Sequence, residues 1–183
     1  MTVVVCGPSG AGKTTLIQAL LARPDVEIID VFVCRKNPRS QEVGRVELTL
    51  AEFKAQTIDH NCQCSFEDTL YSFSIDQMRN SPSKFSIIDY PGDYPECSEF
   101  KDLNWIGILT LPPSEEILIS RLQSLGKPER INGAIEEYRE ALKDLCAGSF
   151  APEKWSVYKS EFPDSLDVIH IFLDSIEQCT TDE

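Results

Sequence analysis

Residues 7–14 read GPSGAGKT and stand between an apolar run at 2–6, TVVVC, and a run of helix formers at 14–22, TTLIQALLA. A glycine-rich turn, closed by Lys-Thr and set between a strand and a helix, can fold in very few ways. Gly7, Gly10 and Gly12 let the backbone wrap tightly, so its N–H groups converge on phosphate oxygens while the next helix adds its positive dipole end. The expected phosphate ligands are therefore Gly7, Pro8, Ser9, Gly10, Ala11, Gly12, Lys13, Thr14 and Thr15. Lys13 reaches the β and γ phosphates, the Thr14 hydroxyl is placed to ligate Mg²⁺, and Thr15 can donate to the α phosphate.

The rest of the chain supplies the other parts of such a fold. Apolar stretches predict strands at 26–34, 61–66, 69–74, 85–89, 105–111 and 167–173. Between them, Thr49 and Glu52 form a capping-box spacing that opens a short helix, and residues 75–80 suit a helical turn. Ile117, Leu118, Leu122 and Leu125 recur at helical spacing after the break at Pro112-Pro113. Residues 126–132 read as a loop, 133–146 as an amphipathic helix and 174–179 as a short closing helix. Strands alternating with helices predict an α/β fold with a mainly parallel sheet and a ligand crevice at the strand C-termini. At 183 residues we expect one domain. Asp89 closes the strand at 85–89, where phosphate-loop proteins keep a carboxylate for the metal, so Thr14 and Asp89 are the expected Mg²⁺ ligands.

Charge narrows the partners. The net charge of −13 argues against nucleic acid or an anionic membrane, because phosphate backbones repel such a surface. A nucleotide site then needs local cations, and Arg35, Lys36, Arg39 and Arg45 fall within eleven residues, with Arg121, Lys127, Arg130, Arg139 and Lys143 later. Residues 160–183 carry seven acidic side chains and no Lys or Arg, which reads as a solvated acidic surface. Seven scattered cysteines, an odd number, suit reduced thiols and a cytoplasmic location. No apolar run approaches the ~18 residues of a membrane span, and the N-terminus shows no basic leader, so a soluble, unexported protein is expected. His60, Cys62 and Cys64 lack a fourth ligand at finger-like spacing, and strand alternation accounts for them.

GPSGAGKTTL, Asn37-Pro38-Arg39 after the second strand, TLAEF at 49–53 and LTLPPSEEILISRL at 109–122 together resemble the guanylate kinase family of nucleoside monophosphate kinases. DVIHIF resembles that family's last strand. The resemblance runs over most of residues 2–173. It implies a P-loop NTPase three-layer sandwich with an acceptor-binding insert at about 35–82 and a lid at about 125–133. It also implies transfer of the γ-phosphoryl of ATP, with Mg²⁺, to a nucleoside monophosphate or similar small phosphorylated acceptor. By the same resemblance Arg35, Lys36, Arg39 and Tyr71 would bind the acceptor, and Lys13, Arg121, Arg130 and Arg139 would act on the moving phosphoryl.

Several positions depart from the family pattern. Lys36 stands in place of an arginine, and Leu125 replaces the lid arginine before Gly126. The guanine-reading carboxylate falls near Cys62 and its helping hydroxyl at Phe73 or Ser74. The second carboxylate after Asp89 is missing unless Asp93 supplies it. A guanine donates from N1 and its amino group, and a site without acceptors leaves those donors unpaired, so GMP is a poor fit. Three readings follow: a kinase of a small phosphorylated acceptor, a nucleotide- or protein-binding module with weak catalysis, and a GTPase. The last is prompted by Asp89-Tyr-Pro-Gly92, without any Asn-Lys-x-Asp downstream. The sequence leaves the oligomeric state open.

Overall fold

The computed structural model describes residues 1–37, 42–60, 62–66, 68–90, 100, 102–161 and 164–181. The fold is α/β, with a central, mainly parallel sheet of five strands flanked by helices and a second sheet of four strands. By internal contacts the chain divides into two compact units. One comprises Met1–Cys6 with Ile17–Ile106, and the other Gly7–Leu16 with Gly107–Glu183.

In the first unit β1 (Thr2–Cys6) and β2 (Val26–Ile28) both pair in parallel with β7 (Phe85–Asp89). All five residues of β1 are buried, as an unbroken β-branched run flanked on both faces requires. The four-stranded sheet belongs to the same unit, in the order β4-β3-β6-β5. Its strands are β3 (Val31–Arg35), β4 (Arg45–Glu47), β5 (Cys62–Phe66) and β6 (Thr69–Phe73). Register places Val33 opposite both Glu47 and Tyr71, and Cys62 opposite Phe73. Val31, Val33, Cys62 and Phe73 share one apolar cluster with Ile88, Tyr90 and Phe100, whose rings meet edge to face. Helix α2 (Leu50–Gln56) opens with the expected capping box, the Thr49 hydroxyl accepting from the Glu52 N–H while the Glu52 carboxylate accepts from the Thr49 N–H. Helix α3 (Ile75–Arg79) is capped by Ser74, whose hydroxyl accepts from the Gln77 N–H.

In the second unit β8 (Trp105–Leu111) pairs in parallel with β9 (Trp155–Lys159). Gly107 lies beneath the Trp155 ring, so closely that any side chain there would fall inside it. Helix α4 (Glu115–Ser124) is capped by Ser114 and buries Leu118 and Leu122. A 3-10 turn (Pro128–Arg130) leads into α5 (Ile131–Ala147), which buries Ala134, Tyr138 and Ala141 and ends on Gly148 at φ 73°. Helix α1 (Lys13–Leu20), which begins in this unit and continues into the first, follows the glycine-rich loop and buries Leu16, Ile17 and Leu20. No helix among the described residues is long and apolar enough to cross a membrane.

Four expectations are corrected. Residues 167–173 are helical, part of α6 (Ser165–Thr181), and the strand near the end of the chain is β9 instead. The physical reason is the period: Ser165, Ile169 and Leu173 are buried at intervals of four while Val168 and Ile171 face solvent, which a strand could not arrange. Residues 26–34 form two strands in different sheets, broken at exposed Asp30, because hydrophobicity marks a strand without saying which sheet receives it. Helix α5 starts at Ile131, inside the expected loop, and β4 arises in a segment where no strand was expected.

Candidate functional site

In the second unit the loop at 7–14 has the backbone its glycines foretell: φ is 130° at Gly7, 82° at Gly10 and 103° at Gly12. Gly7 has a further constraint, since a Cβ there would fall on the backbone carbonyl oxygen of Thr110, which a strand holds in place. Only glycine fits both the conformation and the space. The Lys13 ammonium donates to the carbonyls of Gly7 (2.5 Å) and Pro8 (3.1 Å), folding back over the loop it belongs to. Thr14 and Thr15, at the start of α1, are exposed, whereas Pro8 and Ala11 are buried.

Arg121, expected to act on the phosphoryl, is committed to the loop from outside. Its Nη1 donates to the carbonyls of Gly10 (3.2 Å) and Ala11 (3.4 Å) and to the Ser160 hydroxyl (2.8 Å), and its Nη2 pairs with Glu161 at 2.5 Å. Glu161 adopts φ 75°, a left-handed conformation unusual for a residue with a side chain. Arg139 lies on the exposed side of α5 and forms a two-pronged pair with Glu115, at 2.7 and 2.9 Å. That bond raises the guanidinium pKa further. Arg130 ends the 3-10 turn, half-buried, and its guanidinium has no ion-pair partner among the described residues. The residue of α5 that does reach the loop is one the sequence reading passed over: Glu137 accepts from the Ser9 N–H at 3.2 Å. Nearby, burial first, and then the charges of Glu115 and Glu116, push the Tyr138 phenol above its ordinary range.

The first unit holds the expected acceptor residues. Arg35, at the end of β3, is nearly buried (6% exposed) and pairs with Glu47 at 2.6 Å and Glu42 at 3.6 Å. Lys36 is exposed in the following bend, and Arg39 and Asp93 lie outside the described residues. Arg45 is the residue whose importance a scan of cation positions understated. It is 7% exposed, its Nη2 and Nε donate to one oxygen of Asp89 at 2.7 and 3.1 Å, and its guanidinium lies 5.4 Å from the centre of the Tyr71 ring. Alternation along the strands puts Arg35, Arg45, Glu47 and Tyr71 on one face of the four-stranded sheet. Several polar atoms of this group and of Asp89 are buried without a hydrogen-bond partner among the described residues: Nε and Nη1 of Arg35, Nη1 of Arg45 and Oδ1 of Asp89. Buried donors and acceptors left open in this way cost about 1–3 kcal/mol each unless a ligand or water completes them.

The same face is closed at its other end. Cys62 and Phe73, aligned with the guanine-reading positions, are 5% and 0% exposed in the apolar cluster, and the Ser74 hydroxyl is occupied as a helix cap. For a metal, the exposed Thr14 hydroxyl in the second unit and the Asp89 carboxylate in the first are each, taken separately, hard donors of the kind Mg²⁺ prefers.

No family model matches the chain. Among curated proteins it is similar to a guanylate kinase of Clostridium perfringens, 28% identical over 190 residues that cover 98% of this chain and 85% of the relative. It is 29% identical over 138 residues to a guanylate kinase of Paraburkholderia xenovorans, covering 69% and 59% of the two chains. Among solved structures it resembles guanylate kinase from Anaplasma phagocytophilum, with a TM-score of 0.63 over 96% of this chain and 84% of that one. Identity there is 16%, so that likeness shows the fold alone.

Proposed function

The chain is a divergent guanylate-kinase-like protein, and on that premise we propose that it transfers the γ-phosphoryl of ATP to a small phosphorylated acceptor other than GMP. The observation that carries the reading is the loop at 7–14, with three glycines at positive φ and Lys13 folded over it. Such a loop presents its N–H groups to a polyphosphate and cancels its charge, which is most of what phosphoryl transfer asks of a protein. Lys13 leaves its two carbonyl partners for the phosphates when nucleotide arrives. Thr14 would offer its hydroxyl to Mg²⁺, which when bound supplies further charge neutralisation.

On the acceptor side, Arg35, Arg45 and Tyr71 bind the phosphorylated end, with Lys36 and Arg39 as further cations. The guanidinium nitrogens of the two buried arginines that have no partner among the described residues support this assignment. Cys62 and Phe73 offer no acceptor for the N1–H and amino group of guanine, which argues for a different acceptor. A coupled ATP-to-ADP assay across nucleoside monophosphates, their deoxy forms and sugar phosphates tests this. Acceptor-stimulated turnover with at least one, and less with GMP, is expected; no stimulation by any of them would refute the kinase reading.

A second reading, a nucleotide-binding module with weak turnover, is favoured by one observation: Arg121 and Arg139 already have carboxylate partners. Tight Mg-ATP binding without acceptor-stimulated turnover would select it.

A further inference from the structure

Glu137 is the one acidic side chain hydrogen-bonded to the loop's backbone among the contacts described above, and its partner is the N–H of Ser9, one of the residues expected to bind phosphate. Its position is built into α5. It lies three residues after buried Ala134 and four before buried Ala141, on the inward face of the helix, whereas Arg139 two residues on points outward. The helix therefore turns a carboxylate, not a cation, toward the loop.

We infer that Glu137 sets the stringency of the nucleotide site: its carboxylate occupies the Ser9 N–H as an internal stand-in for phosphate, and a nucleotide must displace it. The inference rests on residues 7–14 being the nucleotide seat, but not on turnover or on the identity of the acceptor. A carboxylate and a phosphate both accept from backbone N–H groups, and two anions cannot share one donor without repulsion. A nucleotide that brings charge compensation of its own beyond the Lys13 ammonium, as a cation complex does, displaces the carboxylate more readily. Free polyphosphate is selected against more strongly than the cation-complexed form.

The test is ATP binding by the full chain, measured by calorimetry with and without Mg²⁺, in the absence of any acceptor. The variants are Glu137→Gln, which keeps an acceptor oxygen but removes the charge, and Glu137→Ala, which removes both. Glu136→Gln, at an exposed neighbour on the same helix, controls for loss of one negative charge at long range. The expected result is a roughly tenfold tighter ATP dissociation constant for Glu137→Ala and a smaller gain for Glu137→Gln. Both gains should be larger without Mg²⁺ than with it, and Glu136→Gln should stay near wild type. Unchanged or weaker binding in Glu137→Ala, with wild type binding ATP normally, would overturn the inference and leave the nucleotide reading intact; that pattern would mean Glu137 braces the loop in its binding shape. Equal gains in the Glu136 and Glu137 variants would also overturn it, as a bulk charge effect. If neither wild type nor Glu137→Ala binds ATP, it is the reading of residues 7–14 that fails, and the inference falls with it.

Discussion

Replacing Arg45 by Met tests whether the buried pair with Asp89 is a working unit or an incidental contact. Met keeps most of the stem's volume against Tyr71 and removes the charge. Arg45 is 7% and Asp89 14% exposed, so solvent screens the pair little, and two guanidinium nitrogens converge on one carboxylate oxygen at 2.7 and 3.1 Å. Removing one partner of a buried pair strands the other charge, at a cost of about 3–5 kcal/mol. The residual access of Asp89 argues for the lower end, about 3 kcal/mol, which for a chain of this size lowers the melting temperature by about 6–12 °C. Asp89→Asn should act in the same direction. The double variant Arg45→Met/Asp89→Asn should be more stable than the two losses predict, by about 2 kcal/mol, because no charge is left uncompensated. Urea unfolding followed by circular dichroism gives all three values. Losses that simply add, within about 0.5 kcal/mol, would show that the two side chains do not sense each other and would undo the site geometry on which the acceptor assignment rests.

Lys13→Ala should abolish turnover while moving the melting temperature by no more than about 2 °C, since the ammonium's contacts are to its own loop; an active variant would exclude the lysine from the chemistry. Gly7→Ala should weaken ATP binding by at least about tenfold, because the new Cβ must push the loop off the Thr110 carbonyl and φ 130° suits glycine alone; calorimetry reads this directly, and unchanged affinity would mean that the loop is not held there. The two-pronged bond from Arg23 holds the Asp25 carboxyl below its ordinary range. Its folded pKa is depressed, so its contribution to stability is present above the ordinary carboxylate pKa and is lost as pH falls through the lowered value. Asp25→Asn should remove that component, worth under about 1 kcal/mol for a partly exposed pair, from acid titrations of stability.

The backbone of the loop at 7–14 was legible in the sequence because its determinants are local. A turn that needs positive φ must use glycine, and GPSGAGKT writes that need out in consecutive letters. The cap at Thr49 was legible for the same reason. What the sequence could not convey is pairing at a distance. Nothing near Arg45 indicates that Asp89, 44 positions on, will take its charge, and nothing near Arg121 points to Ser160 and Glu161. Glu137 and Arg139 look alike in a list of charged residues; only the phase of α5, fixed by Ala134, Tyr138 and Ala141, turns one inward and the other out. The strand expected at 167–173 failed because β-branched residues outweighed a period of four that was already present in Ser165, Ile169 and Leu173.

Arg121 grips the carbonyls of Gly10 and Ala11 while holding Ser160 and Glu161 with the same guanidinium. The loop at 7–14 is thus made well ahead of the residues that brace it, since about 150 further residues must emerge before that brace can form. A nascent chain halted before Ser160 would carry the whole motif without that support. Nucleotide added during synthesis should accordingly give little protection until Ser160 and Glu161 have emerged, so completion of the loop waits on a segment made far later than the loop itself.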